Sequence, residues 1–134
     1  MLVPTTPENE QKVLSKSGKY RIFIYGTLQG NHAKVTCDGD IRVLPDGYAA
    51  VRFDRDGIVH GEVMYVDQHE LGELDKREEN GKPHYERVIV RMNDGLYAYS
   101  YQFKDHVFQG KTFKTLPKVK GGHWNFKYLE SGHH

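Results

Sequence analysis

The sequence predicts an α+β fold, a small mixed β-barrel with one or two short helices. Three observations carry this expectation. Runs of aromatic and β-branched residues recur from Tyr20 to Phe103, glycine-containing turns separate them, and one segment, beginning at Asp67, switches to helical spacing. Strands enclosing a single short helix favour a compact barrel over a layered parallel sheet.

The elements follow in order. Residues 1–18 are polar without a sustained period and read as a flexible lead-in to a domain spanning 19–128, with 129–134 as a tail. The closing His133-His134 reads as the visible part of a purification tag. Tyr20-Arg21-Ile22-Phe23-Ile24-Tyr25 is nearly continuous in apolarity, as in a strand covered on both faces, and runs straight into Gly26. Tyr48 to Phe53 and Ile58 to Val66 are strand-like runs around Asp54-Arg55-Asp56-Gly57, read as a first hairpin with glycine where a positive φ is wanted. A second hairpin pairs Tyr85 to Met92 with Leu96 to Phe103 across Asn93-Asp94-Gly95. Its second arm alternates, with Tyr97, Tyr99, Tyr101 and Phe103 on one side. Asp67-Gln68-His69-Glu70 resembles a capping box, Leu71 and Leu74 start a helical stripe, and Asn80-Gly81 supplies a stop.

Composition narrows the class. The chain has 134 residues, 28% of them charged, and a formal net charge of +1, so no global field selects a nucleic acid or a membrane. No apolar run approaches the roughly 20 residues of a membrane span, and the first residues lack the apolar stretch of a secretory signal. Cys37 is the single cysteine and cannot form an internal disulfide, which points to a reducing, cytoplasmic setting. The scattered histidines show no metal-ligand spacing. Asp38, Asp40 and the Asp54-Gly57 stretch lack the twelve-residue spacing of a calcium loop and read as turns.

One carboxylate stands out. On a helical wheel for Gln68 to Glu79, Glu78 falls within the apolar stripe of Leu71 and Leu74, whereas Glu73, Lys76 and Arg77 fall on the outer face. Burial, the like charge of Asp75 three residues earlier and the negative end of the helix all favour a protonated Glu78. Such a group can accept and return a proton. On periodicity alone, a Glu78 that swings outward to pair with a cation is equally compatible.

Two motifs now coincide. Ile22-Phe23-Ile24-Tyr25-Gly26-Thr27-Leu28 is followed by Leu74-Asp75-Lys76-Arg77-Glu78, with Tyr85-Glu86-Arg87 beyond it and Gly61-Glu62-Val63 between. In this order the chain resembles the gamma-glutamylcyclotransferase-like family, across about residues 20 to 126. The resemblance implies a small mixed α/β barrel that releases a γ-linked glutamyl group as 5-oxoproline. It further implies that Glu78 is the general acid/base and that Tyr25, Gly26, Thr27 and Leu28 form the substrate loop. No cofactor, metal or covalent intermediate is needed for that reaction. Tyr48 and Tyr85 are further substrate-binding candidates, each equally compatible with core packing, and Arg87 fits a structural ion pair better than a substrate contact. The stretch between Leu28 and Gly39 is shorter than in typical family members, and Ala49 stands where the family has proline.

The implied partner is a small γ-glutamyl compound. A non-catalytic small-molecule binding module on the same barrel is the competing reading. Lysines interleaved with aromatics between Lys104 and Lys127 raise nucleic acid as a third, but a solvated edge with core-anchoring aromatics accounts better for them. The sequence does not choose the amine or the oligomeric state.

Overall fold

The structure, a computed structural model, describes residues 1–25, 33–45, 49–81, 85–104 and 110–119; for residue 33 and residues 77–81 it describes the backbone alone. The fold is α+β, a curled mixed sheet forming a half-barrel with two helices.

The elements are β1 (Leu2–Val3), α1 (Pro7–Val13), β2 (Tyr20–Ile24), β3 (Ala33–Asp38), β4 (Asp40–Val43), β5 (Ala49–Arg52), β6 (Ile58–Val66), α2 (Gln68–Gly81), β7 (Tyr85–Arg91) and β8 (Tyr97–Phe103). A 3₁₀ turn at Phe113–Thr115 follows. Six strands form one sheet in the order β1-β7-β8-β2-β6-β3, and β4-β5 form a second. Strand β2 runs parallel to β8, with Ile22 opposite Tyr99, and antiparallel to β6. That mixed pairing puts β2 at the centre of the large sheet.

Strand alternation sorts the core onto two faces. Phe23, Val59, Val63, Val88, Val90 and Ala98 point toward the small sheet, where they meet Ile41, Val51 and Phe53. Ile22, Val66, Ile89 and Tyr99 point the other way and lie under Leu71 of α2 and Val13 of α1. The near-continuous apolarity of β2 therefore reflects a strand buried on both sides, as its composition predicted.

The second hairpin forms as expected, with Arg91 opposite Tyr97 and Gly95 at φ +88°. The first does not. Strand β5 pairs with β4 while β6 pairs with β2 and β3, so the Asp54–Gly57 turn carries the chain from one sheet to the other. Gly57 does adopt a positive φ of +138°. Asp38 and Asp40, expected in turns, lie at strand ends flanking Gly39. Asp40 is committed to Arg42 at 2.9 Å, and the Arg42 guanidinium also donates to the carbonyls of Phe113, Lys114 and Leu116. This ties the 3₁₀ turn down onto β4 and supplies the buried charge with partners on every side.

The lead-in expected over residues 1–18 is ordered at its start. Leu2 and Val3 pair with Val90 and Ile89, and α1 begins at an N-cap, Thr6, whose hydroxyl accepts from the amide of Asn9 at 3.2 Å. Pro7 at the first helical position fits that start. The helix contributes one buried residue, Val13, which is too few to leave a period in the sequence. Among the described C-terminal residues, Phe113 is buried while Lys111, Lys114 and Lys118 are exposed, in keeping with an anchored, solvated edge. No helix of the described residues is long and apolar enough to cross a membrane.

Candidate functional site

Helix α2 is set by a reciprocal capping box. Asp67 Oδ1 accepts from the Glu70 amide at 2.8 Å, and Glu70 Oε1 accepts from the Asp67 amide at 3.1 Å. Asp67 is held below the ordinary carboxylate range, chiefly by the hydrogen bond from that Glu70 amide. The cap fixes the helical phase, so Leu71 is buried, Leu74 and Asp75 are half-buried against the sheet, and Glu73 and Lys76 face solvent. The wheel drawn from the sequence is therefore the one the helix adopts through Lys76. Glu78 has its backbone in the last turn of α2; its side chain lies outside the described residues.

Tyr101 joins this helix to the end of β2. Its hydroxyl donates to Asp75 Oδ1 at 2.7 Å, and its carbonyl accepts from the Tyr25 hydroxyl at 2.7 Å. Tyr25 is the residue after β2, and its ring meets Phe53 edge-on at 6.3 Å. Asp75 also pairs with Arg87 at 3.0 Å, and the Arg87 guanidinium lies 4.5 Å from the Tyr99 ring centre. The ion pair expected of Arg87 is present.

Of the other predicted site residues, Gly26, Thr27, Leu28 and Tyr48 lie outside the described residues. Tyr85 is buried, its hydroxyl donates to the Ala49 carbonyl, and its ring packs edge-on against Phe103 at 6.0 Å. A polar cleft of about 440 Å³ opens between α1 and α2, lined by Glu10, Tyr20, Gln68, Asp75, Arg87 and Tyr99. The Tyr99 phenol donates to Glu10 at 3.2 Å and is pushed up to about 12 by burial and then by the charge of Glu10. Cys37 is buried, and burial raises its thiol above the ordinary value despite the nearby N-terminal amine. Among the described residues no group of His, Cys, Asp and Glu could hold a metal ion.

One acidic residue was read from the sequence only as part of the Gly61-Glu62-Val63 motif, with no role of its own. Glu62 of β6 is buried, and its Oε2 has no hydrogen-bond partner. The available signal was a lone carboxylate in the middle of the strand-like run Ile58–Val66.

A family model described as gamma-glutamyl cyclotransferase, AIG2-like, matches residues 22–126, which runs from the middle of β2 through β8 and takes in the whole of α2. The chain belongs to this family. Three solved structures share the AIG2-like cyclotransferase fold seen here or contain a part that superposes on it. YkqA from Bacillus subtilis aligns with a TM-score of 0.54 and 21% identity, over 87% of this chain and 43% of YkqA. The uncharacterized protein PH0828 from Pyrococcus horikoshii gives 0.55 and 22%, over 85% and 97% of the two chains. Allophanate hydrolase from Kluyveromyces lactis gives 0.60 and 14%, over 90% of this chain and 22% of the hydrolase. At these identities the likeness concerns the fold. The chain thus spans less than half of YkqA and under a quarter of the hydrolase. Comparison with curated proteins finds no match.

Proposed function

We propose that this protein is a cofactor-independent cyclotransferase that releases a γ-linked glutamyl group as 5-oxoproline and a free amine. The observation that carries the reading is the Tyr101 link. One residue joins the start of the Tyr25-Gly26-Thr27-Leu28 segment to α2 one turn before Glu78, so both motifs of the family resemblance depart from the same patch.

In the proposed reaction the substrate folds so that its α-amino nitrogen meets its own γ-carbonyl carbon. Ring closure is intramolecular, and the protein has to hold that conformer and move protons from the attacking nitrogen to the departing one. Glu78 takes a proton from the α-ammonium. The nitrogen then bonds to the γ-carbon, Glu78 gives its proton to the departing nitrogen as the amide C–N bond breaks, and the second proton that the ring nitrogen sheds follows to the freed amine, which leaves as an ammonium. Backbone amides of residues 26–28 would bind substrate oxygens, since glycine allows close approach. The partner is a small γ-glutamyl compound, and we place the reaction in the cytoplasm on the strength of the lone cysteine.

The test is a panel of γ-glutamyl amines assayed for 5-oxoproline with the wild type and Glu78→Gln. The variant, isosteric and uncharged, should keep the wild-type melting temperature and lose turnover by about 10²-fold or more. Undiminished turnover in Glu78→Gln would remove the residue from the mechanism. Ligand retained without 5-oxoproline from the wild type would instead favour the binding-module reading.

A further inference from the structure

Two acidic side chains of the described residues are more than nine-tenths buried, and the fold treats them differently. Asp40 is 8% exposed and takes three hydrogen bonds from Arg42. Glu62 is 9% exposed, and its Oε2 is buried with no partner at all. A buried carboxylate that serves packing is normally supplied with donors, as Asp40 is. One whose oxygen lacks a donor in a folded core can take that donor from a ligand.

Its position says which ligand. Met64 and Val66 of β6 pack on the face under α2, so alternation puts Glu62 on that face as well. Its cross-strand neighbours are Ile24 of β2 and Lys34 of β3. Ile24 offers no charge. Lys34 is exposed, and among the described residues no ion pair joins it to Glu62. Glu62 therefore stands beside the last residue of β2, one residue before Tyr25, on the side of the sheet to which Asp75 and Tyr101 belong.

We propose that Glu62 is the ammonium-binding carboxylate of the site, accepting N–H groups from the α-amino nitrogen of the γ-glutamyl substrate. This rests on the cyclotransferase reading given above. A carboxylate has only acceptors, and the one cation common to all γ-glutamyl amides is the α-ammonium. A charge-assisted bond to Glu62 would orient that nitrogen toward the γ-carbonyl. After Glu78 removes one proton, the amine still carries two N–H donors, so the nitrogen stays held while its lone pair attacks. Glu62 gains and loses no proton over the cycle. The bond made is nitrogen to γ-carbon, the bond broken is the amide C–N, and the two protons that the attacking nitrogen sheds in becoming the lactam N–H pass to the departing nitrogen, the first of them through Glu78. The specificity that follows is for a free α-amine: N-acylated and desamino glutaryl amides are excluded.

The experiment compares L-glutamate with glutarate, which lacks the amino group, by calorimetric binding to the wild type and to Glu62→Gln, alongside 5-oxoproline kinetics. The wild type should prefer glutamate, and Glu62→Gln should bind the two alike. In turnover, Glu62→Gln should raise KM about 10- to 100-fold and leave kcat within a few-fold, a split that a packing defect would not give. Equal binding of glutamate and glutarate by the wild type overturns the assignment without any variant. If 5-oxoproline forms and Glu62→Gln keeps the wild-type KM, Glu62 is dismissed and the cyclotransferase reading stands. If no 5-oxoproline forms yet glutamate preference is lost in Glu62→Gln, the ammonium site stands and turnover falls.

Discussion

At Gly61 the backbone of β6 lies close against the exit of β2, and replacing it with alanine tests whether that approach matters. A Cβ built on Gly61 would lie 2.3 Å from the carbonyl oxygen of Ile24 and 2.9 Å from two ring carbons of Phe23. Ordinary heavy-atom contact is about 3.5 Å, so the Ile24 carbonyl must retreat by roughly 1 Å, and Phe23 has little room to follow because it is buried between the sheets. Overpacking of this kind costs about 1–3 kcal/mol. For a chain of this size, 2 kcal/mol corresponds to about 8 °C in melting temperature. The displaced carbonyl belongs to the residue before Tyr25, so the damage also reaches the proposed site. A misplacement of about 1 Å can lower turnover about 10²-fold. Thermal unfolding and 5-oxoproline release measured on Gly61→Ala give both numbers from one preparation. A variant that melts within about 1 °C of wild type and turns over normally would refute the close approach and the reasoning built on it.

Two further outcomes follow from buried groups. Arg42→Met leaves Asp40 charged and alone in the core and frees three carbonyls around the 3₁₀ turn, so it should cost about 3 kcal/mol or more in a denaturant titration. Removing Asp40 as well should restore part of that loss, and a full additive loss in the double variant would refute the pairing. Tyr99 should titrate late: its phenol is raised from the ordinary 10.0 to about 12, so the native state holds its proton where the unfolded chain has lost it. Stability from this group is thus complete below about pH 10 and declines as pH rises toward 12. Absorbance at alkaline pH should show a late tyrosinate step that Tyr99→Phe removes, and a Tyr99→Phe titration that keeps the step would contradict the assignment.

How much could be seen beforehand depended on the range of the interactions involved. The capping box of Asp67 and Glu70 is a contact between neighbours in sequence, and it fixed the phase of α2 well enough to place Leu71, Asp75 and Lys76. The second hairpin was legible for the same reason, since Asn93-Asp94-Gly95 dictates a local turn. The first hairpin was misread because a turn sequence says that the chain bends, not which strand it then joins. Pairing of β5 with β4 depends on Arg42 gathering Asp40 and the distant carbonyls of 113–116, and no window of sequence contains that network. Glu62 was hidden in another way. Its burial comes from having β2 on one side and β3 on the other, and β3, with Val35 and Cys37 as its inward apolar residues, carries too weak an alternation to announce itself.

The electrostatics of the proposed proton carrier change once Asp75 is seen in place. From the sequence, Asp75 counts as a like charge about one turn before Glu78, which would favour a protonated Glu78. In the fold its carboxylate meets Arg87 at 3.0 Å and accepts from Tyr101 at 2.7 Å. A cation that close offsets most of the field Asp75 exerts on a neighbour about 5–6 Å along the helix. What the described structure leaves to favour a proton on Glu78 is the C-terminal end of α2, whose last turn carries no basic residue.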